Sequence, residues 1–190
     1  MVAAMLLLTL RGTPTMYYGD EISIPQVPIP EEEQMDPQGL LMPGRNLSRD
    51  PQRTPMQWDR EEHSGFTTGE PWLRLSEDHR RVNVQLQLLD ENSILIFYKR
   101  LISLRQSEAS LQKGDYDHLS WNENLLAYVR RAPSSDGFLV VLNLTNKTSV
   151  MNLQSFQGVI ELSTNREAEG LAVSGDLTVE PNTGIIIRLR

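Results

Sequence analysis

The spacing of hydrophobic and polar positions changes along the chain. Residues 1–10 are almost uniformly apolar and are followed by Gly12, a pattern that predicts the end of a core helix. Residues 13–18 are mainly β-branched and aromatic, which predicts one short buried strand. Asp20 and Glu21 come directly after it. A helix, a strand and a polar loop in this order are typical of an α/β barrel, in which ligand-binding residues follow the strands.

The second half of the chain contains a helical pattern followed by short apolar runs. Over residues 90–107, apolar residues recur at intervals of three and four, which predicts an amphipathic helix with Asp90 or Asn92 as its cap. Beyond it, short apolar runs alternate with turns rich in Gly, Pro, Asn and Ser, which predicts an antiparallel β-sandwich. The predicted strands are residues 125–131, 138–144, 150–153, 159–163, 177–179 and 185–189.

Residues 25–82 hold most of the prolines and almost no periodic apolar pattern, so we expect a long loop region. Loops of this length in a compact domain are usually functional or disordered. The aromatic residues Trp58, Phe66 and Trp72 favour an ordered loop. Its most informative part is residues 48–59, which we call the arginine loop.

Two arginines stand four positions apart in the arginine loop. Pro51 and Pro55 restrict the backbone around them, so the loop is stiff. The guanidinium groups of Arg49 and Arg53 offer planar forks of N–H donors that suit carboxylates or paired hydroxyls. We expect Asp50 to hold one fork in place while the remaining donors face outward. From these residues alone, a ligand-binding loop and an internally paired salt-bridge loop both stay open.

Composition narrows the possible functions. The chain has 18 basic and 25 acidic residues, a formal net charge of −7 and no basic block, so binding to nucleic acid is disfavoured. It has no cysteine, which excludes disulfides and thiolate zinc sites. His63, His79 and His118 do not have metal-ligand spacing, and we expect no metal or cofactor. Residues 1–10 are far too short to span a bilayer of roughly 30 Å, so no membrane association is expected.

Several motifs together carry a resemblance to a known family. They are residues 12–22 (GTPTMYYGDEI), 48–59 (SRDPQRTPMQWD), 65–67 (GFT) and 71–73 (PWL). In this order and spacing they resemble the C-terminal part of an α-amylase-superfamily glycoside hydrolase, on the α-glucosidase and oligo-1,6-glucosidase branch. The correspondence runs over essentially the whole chain. One small departure is Ser23, which stands where glycine is common.

The resemblance implies a fold that is α/β plus all-β. Residues 1–112 would form the C-terminal end of a catalytic (β/α)₈ TIM barrel, with strand 8, a long substrate loop and helix 8. Residues 113–190 would form a C-terminal antiparallel β-sandwich domain. Residues 1–10 would then be the tail of the seventh barrel helix.

The resemblance also implies roles for particular residues. Arg49 would bond hydroxyls of the non-reducing-end glucose, and Arg53 would lie behind it and help set the loop. Of the two, Arg49 is favoured for direct sugar contact. Asp50 would support an arginine, and Glu21 would end the barrel strand, so both are expected to be supporting residues.

The resemblance further implies that no catalytic residue lies in this chain. Retaining glycosidases need two carboxyl groups roughly 5 to 5.5 Å apart. The family takes its catalytic carboxylates from strands four, five and seven, which would precede residue 1. We do not expect Glu21 and Asp50 to replace them, so the chain alone should be inactive.

The expected function is therefore that of the C-terminal fragment of a retaining α-glucosidase. Its partners would be a small oligosaccharide or α-glucoside and the rest of the catalytic barrel. One alternative is a trehalose synthase or sucrose isomerase type of enzyme. Another is a non-catalytic carbohydrate-binding or transporter-associated homologue, against which the presence of both Arg49 and Arg53 argues. A glycan at the Asn46 glycosylation motif would crowd the arginine loop, which together with the absence of cysteine favours a cytoplasmic, bacterial protein.

Overall fold

The computed structural model describes residues 1–119, 122–154 and 156–190. The described residues form two compact units. The first, which we call the sandwich unit, comprises Met1–Thr15 and Phe97–Arg190, and the second, the loop unit, comprises Met16–Ile96. The expected domain boundary between residues 112 and 113 stays a prediction.

The structure describes five α-helices, two of which were predicted. They are α1 (Val2–Thr9), α2 (Pro37–Leu41), α3 (Val84–Gln87), α4 (Ile94–Ser107) and α5 (Ala109–Lys113). Short 3₁₀ turns lie at Asp20–Ile22, Glu31–Glu33, Asp50–Gln52, Glu62–Gly65 and Arg166–Ala168. Helix α1 confirms the helix predicted at the start of the chain, and α4 confirms the amphipathic helix.

The cap of α4 differs from the prediction. The Ser93 hydroxyl accepts a hydrogen bond from the Ile96 backbone N–H at 3.2 Å, as an N-cap side chain does. The carboxylate of Asp90 accepts from the Asn92 N–H at 2.9 Å, in the turn before the helix. The helix therefore starts at Ile94, and neither Asp90 nor Asn92 caps it.

The strand predicted over residues 13–18 is not formed. None of the described strands pairs with this segment, and Tyr17 and Tyr18 are 47% and 45% exposed. A parallel barrel strand depends on hydrogen bonds to its neighbours. The β-branched and aromatic composition of residues 13–18 does not replace those bonds.

The strands confirm the predicted antiparallel β-sandwich. They are β1 (Asp115–Leu119), β2 (Leu125–Arg131), β3 (Phe138–Asn143), β4 (Ser149–Asn152), β5 (Gly158–Ser163), β6 (Ala172–Val173), β7 (Asp176–Val179) and β8 (Gly184–Leu189). Within the described residues they form a six-stranded sheet in the order β1-β2-β3-β8-β5-β6 and a two-stranded sheet of β4 and β7. Each strand pairing that the structure describes is antiparallel.

The core of the sandwich unit lies on both faces of β3, which is buried at every position. Alternate residues such as Leu139 and Val141 pack with Met151 and Val179 of the smaller sheet. The opposite face of the larger sheet carries α1, which contacts β3. Here Met5 packs directly against Gly184 of β8. A residue with a Cβ in place of Gly184 would put that atom 2.8 Å from the Met5 sulfur, so the close packing needs glycine.

Two arginines bind the carbonyl groups at the end of α1. Arg105 of α4 donates to the Leu8 carbonyl at 2.7 Å and to the Gly12 carbonyl at 2.6 Å. Arg130 of β2 is fully buried and donates to the Thr9 carbonyl. The last carbonyls of a helix have no partner within it and carry partial negative charge. Both guanidinium groups therefore act as caps, although burial lowers the pKa of each.

Candidate functional site

Arg49, at the start of the arginine loop, is held by the carboxylate of Asp36. The Arg49 backbone N–H and Nε donate to Asp36 Oδ2 at 2.8 and 2.9 Å, and Nη2 donates to Asp36 Oδ1 at 2.5 Å. The Asp36 side chain is fully buried, whereas that of Arg49 is 53% exposed. One edge of the guanidinium is thus fixed, while about half of the side chain is exposed.

The charges of this pair stabilise each other. The side-chain hydrogen bond from Arg49 is the main cause that holds the pKa of Asp36 well below its usual range. The same bond raises the pKa of Arg49, and the neighbouring Tyr17 and Asp50 act in the same direction. Both groups are therefore charged at neutral pH.

The role of Asp50 differs from the expectation that it holds an arginine fork. Its Oδ2 accepts from the backbone N–H groups of Met35 at 2.7 Å and Asp36 at 2.9 Å, and from the Ser48 hydroxyl at 3.0 Å. The 3₁₀ turn that begins at Asp50 directs its buried carboxylate to that backbone. The carboxylate that pairs with Arg49 is therefore Asp36, and Asp50 fixes the backbone that carries Asp36.

Arg53 lies in a different setting from Arg49. Its backbone N–H donates to the Asp50 carbonyl at 2.8 Å. In the part of the chain that the structure describes, its side chain makes no hydrogen bond or ion pair. Its charge acts on Tyr18, where it offsets part of the rise in pKa that burial and Tyr17 cause. Arg53 is thus near Tyr18 and is available for a further contact.

Asp20 and Glu21, which follow the segment 13–18, make local contacts. Glu21 Oε2 accepts from the Gly19 N–H at 2.7 Å, and Asp20 Oδ2 accepts from the Tyr17 N–H at 3.2 Å. Gly19, in the tight turn that both carboxylates stabilise, has a φ of 90°, a positive value that glycine adopts more readily than other residues. The structure does not bring Glu21 to the Arg49–Asp36 pair through any described contact, and its supporting role stays a prediction.

The described residues contain no group of three or more His, Asp or Glu side chains placed to hold a metal ion. His79 Nδ1 lies 2.9 Å from the Ser76 carbonyl, a contact of an ordinary loop histidine. No helix within residues 1–119, 122–154 and 156–190 is long and apolar enough to cross a membrane.

Comparison with known proteins assigns the family. Residues 1–114 match the family model of the α-amylase catalytic domain. The chain belongs to the α-amylase family. It is 32% identical to the glucan 1,6-α-glucosidase of Streptococcus pneumoniae, over 80% of this chain and 31% of that protein. It is 31% identical to the oligo-1,6-glucosidase of Bacillus cereus, over 98% of this chain and 37% of that protein.

Solved structures of α-amylase-family enzymes also resemble this chain. The trehalulose synthase of Pseudomonas mesoacidophila MX-45 superimposes with a TM-score of 0.86 and 26% sequence identity, over 100% of this chain and 38% of that enzyme. This α-amylase-family chain therefore spans about a third of the length of the relatives it matches. The predicted family and fold class are confirmed.

Asp36 is the site residue that the sequence did not reveal. It stands 13 positions before Arg49, in a proline-rich segment without a periodic pattern. One signal was present, because Pro37 directly follows it and an Asp before Pro commonly caps a short helix. Asp36 does cap α2, accepting from the Gln38 N–H at 3.4 Å. That signal indicates a cap and not a partner for Arg49.

Proposed function

We propose that this chain supplies the substrate-binding arginines of a retaining α-glucosidase that acts on short α-glucosides. The observation that carries the proposal is the half-exposed Arg49 side chain, anchored on the buried carboxylate of Asp36. A guanidinium fixed along one edge presents its other N–H groups in a known direction, which is what recognition of a sugar hydroxyl pair requires.

The donors of Arg49 are divided between the two tasks. Nε and one N–H of Nη2 are used on Asp36, which leaves Nη1 and the rest of Nη2 for a ligand. These remaining donors form the second edge of the planar group, suited to two adjacent oxygen atoms. We propose that this edge binds vicinal hydroxyls of glucose and that Arg53 contributes a second, weaker contact.

The reaction itself needs groups that we place outside this chain. A retaining glycosidase uses one carboxylate as nucleophile and one carboxylic acid as acid/base catalyst, roughly 5 to 5.5 Å apart. Asp50 and Glu21 are both hydrogen-bonded to nearby backbone N–H groups, and the Asp50 side chain is fully buried. Asp50 is too buried to reach a sugar, and the structure does not pair Glu21 with a second carboxyl group through any described contact, so the chain alone should release no glucose from isomaltose.

The activities for which the relatives are named support an α-glucoside as substrate. The two relatives described above are named a glucan 1,6-α-glucosidase and an oligo-1,6-glucosidase. Because this chain spans only about a third of each relative, we propose their activity for it and do not state it as established.

A chimera tests the proposal. The chain would replace the matching segment of the Bacillus cereus oligo-1,6-glucosidase, and isomaltose hydrolysis would be measured. We expect an active enzyme in which Arg49→Lys lowers kcat/KM roughly 10- to 100-fold, because lysine keeps the charge but loses the planar fork. Arg74→Lys, at an exposed Arg–Glu pair outside the arginine loop, is the matched control and should leave kcat/KM unchanged.

The proposal fails if the Arg49→Lys chimera keeps the full kcat/KM of the parent chimera. It also fails if the purified chain by itself hydrolyses isomaltose and loses this activity when Glu21 or Asp50 is changed.

The structural similarity favours one second candidate, an enzyme that isomerises sucrose. A variant of the trehalulose synthase has been solved in complex with its substrate sucrose, and it matches this chain with a TM-score of 0.85. Product analysis of the full-length parent on sucrose separates the two candidates. Release of glucose and fructose indicates hydrolysis, and formation of a new disaccharide indicates isomerisation.

A further inference from the structure

The loop between β2 and β3 of the sandwich unit contains a chemically reactive pair of residues, Asp136 and Gly137. Asp136 is the only aspartate of the chain that glycine follows, and glycine follows none of the asparagines. In such a pair the backbone nitrogen of the glycine can attack the carboxyl group of the aspartate, because glycine has no side chain to hinder the approach and a mobile backbone. Both residues lie outside the regular strands.

The backbone nitrogen of Gly137 is free to react. Strand β2 ends at Arg131 and β3 begins at Phe138, so Gly137 takes no part in the pairing of the two strands. In the part of the chain that the structure describes, its N–H donates no hydrogen bond. A backbone N–H without an acceptor exchanges its proton with solvent more readily than one inside a β-sheet. The nucleophile for the attack is therefore present.

The carboxyl group of Asp136 is accessible but held by one contact. Its side chain is 57% exposed, and its Oδ2 accepts from Arg188 Nη1 at 2.7 Å. This contact has to open before the carboxyl group can turn towards the nitrogen of Gly137. An ion pair that solvent reaches contributes little free energy, so Arg188 slows the reaction and does not prevent it.

The reaction needs neither an oxidant nor a cofactor. A bond forms between Gly137 N and Asp136 Cγ while a Cγ–O bond breaks, and the lost oxygen leaves as water with the amide proton. The product is a cyclic succinimide. Water then adds to one of its two carbonyl groups. Cleavage of the bond from the main-chain carbonyl carbon of Asp136 to the nitrogen gives isoaspartate, whereas cleavage at Cγ restores aspartate, so one water is released and one is taken up.

Isoaspartate would change the contacts of the loop. The chain would then pass through Cβ and Cγ of residue 136, which adds one atom to the backbone and places the carboxylate on Cα. Two contacts depend on the present geometry, the Arg188–Asp136 pair and the bond at 2.9 Å from the Leu189 N–H to the Gly137 carbonyl. Arg188 would keep its bonds to Glu161 and Glu108, so the change should stay local.

We propose that Asp136 is a site of spontaneous isomerisation to isoaspartate, which releases the β2–β3 loop from Arg188 and Leu189. The site does not depend on the proposed function, because neither a sugar nor the arginine loop takes part. With time, the chain therefore acquires a form with a loosened loop at one end of β8.

Other aspartates lack the features that make Asp136 reactive. Asp36 and Asp50 are followed by proline, whose nitrogen carries no hydrogen to lose. Asp176 is exposed, but it lies in β7 and precedes the buried Leu177. Asp176 therefore serves as an internal reference.

The test uses the purified 190-residue chain, kept at neutral pH and sampled at intervals. Each sample is digested with trypsin and treated with a methyltransferase that methylates isoaspartate and not aspartate, together with a labelled methyl donor. The label should increase with time in the peptide of residues 132–147 and not in the peptide that contains Asp176. Before methylation the mass of the 132–147 peptide should be unchanged, whereas deamidation of Asn143 or Asn146 would raise it.

A pair of glycine variants tests the mechanism. Gly137→Ala should lose most of the label, because a Cβ hinders the attack of the nitrogen. This variant should fold, since the new Cβ would lie 3.2 Å from Cγ of the flexible, exposed Arg131 side chain. Gly69→Ala is the matched control, because an added Cβ there has no atom within 4 Å, and its label should equal that of the parent.

Amide exchange of the aged chain tests the release of the loop. Protection of the Leu189 N–H should fall in proportion to the label, while protection of Ile186, in the buried part of β8, should stay. The inference is wrong if the 132–147 peptide gains no more label than the Asp176 peptide, or if Gly137→Ala gains as much as the parent. Full protection of Leu189 in a labelled chain would refute the release of the loop.

Discussion

In the sandwich unit, β3 is buried at every position and packs on both faces, whereas the loop unit has a much smaller apolar cluster, formed in the described residues by Val27, Ile29 and Leu73. In the described residues of the loop unit, buried polar side chains outnumber the buried hydrophobic ones, whereas the reverse holds in the sandwich unit. The buried polar residues of the loop unit are Asp36, Asp50, Thr54, Gln57, Ser64, Ser76, Asn83 and Ser93. Apolar packing is non-directional, while hydrogen bonds depend on direction. The loop unit therefore fixes the positions of individual side chains, which a binding site needs.

The largest effect should come from the sandwich core. Leu139→Ala removes a fully buried side chain from β3 and should lower the free energy of unfolding by about 3 kcal/mol. Leu144→Ala, at a position that is 52% exposed, should change it by less than about 0.5 kcal/mol. Amide exchange of β3 and β8 measures both values. Similar losses in the two variants would show that core packing does not dominate this unit.

In the loop unit, an ion pair with a buried carboxylate should matter more than a pair whose two side chains are both exposed. Asp36→Ala leaves three Arg49 N–H groups without their acceptor, so protection of the amides around residues 36 and 49 should fall strongly. Glu33→Ala breaks the pair with Arg74, whose two side chains are 44% and 45% exposed, and should have little effect. Equal loss of protection in the two variants would contradict the importance of burial.

Acid should weaken the loop unit through the same pair. Because the folded-state pKa of Asp36 is depressed, its contribution is fully present above the ordinary value of about 4 and is lost as pH falls through the folded-state pKa. The chemical shift of the Arg49 Nε–H resonance should therefore keep its hydrogen-bonded value from neutral pH to below pH 4 and then change as Asp36 is protonated. In Asp36→Asn this acid step should be absent, and an identical pH profile in the variant would assign the step to other carboxylates.

The smallest effect should come from a polar contact inside the sandwich unit. Burial raises the pKa of Tyr128 to about 12, so its contribution to stability is present below the ordinary value of about 10 and is lost as pH rises towards 12. Tyr128→Phe removes this alkaline step and the bond to the Thr9 hydroxyl, at a cost of about 1 kcal/mol. The cost is small because Thr9 still donates to the Met5 carbonyl. The difference in tyrosinate absorbance between the parent chain and Tyr128→Phe, followed against pH, measures the step, and a difference that develops near pH 10 would contradict it.

The difference between the two units also explains which parts of the structure could be predicted from the sequence. The observed limits of β2 match the predicted ones residue for residue, because β2 is a short and mostly apolar run, buried at most positions, that turn residues bound on either side. Strand β1 was missed because its residues, DYDHL, are mostly polar and exposed at the edge of the sheet. Short β6, also an edge strand, has no pattern long enough to detect.

The site was predicted less completely, because its contacts join distant residues. Arg49 and Arg53 were recognisable from a motif, but Asp50 stood beside Arg49 in the sequence and was therefore given the role that Asp36 has. Nothing in a linear sequence shows that the Asp50 carboxylate points to the backbone of Met35 and Asp36. The strand predicted over residues 13–18 is absent for a related reason, because a strand forms only when neighbouring strands pair with it and not from composition alone.

The arginine caps of α1 set an order of events during synthesis on the ribosome. The Thr9 carbonyl can be capped by Arg130 only after that residue, 121 positions later in the chain, has been synthesised. At about 5 to 20 residues per second, the interval is roughly 6 to 24 seconds. Until then the Thr9 carbonyl has no arginine partner, whereas Arg105, which is synthesised earlier, can already bind the Leu8 and Gly12 carbonyls. The two arginine caps therefore form in the order Arg105 and then Arg130 as the chain is synthesised.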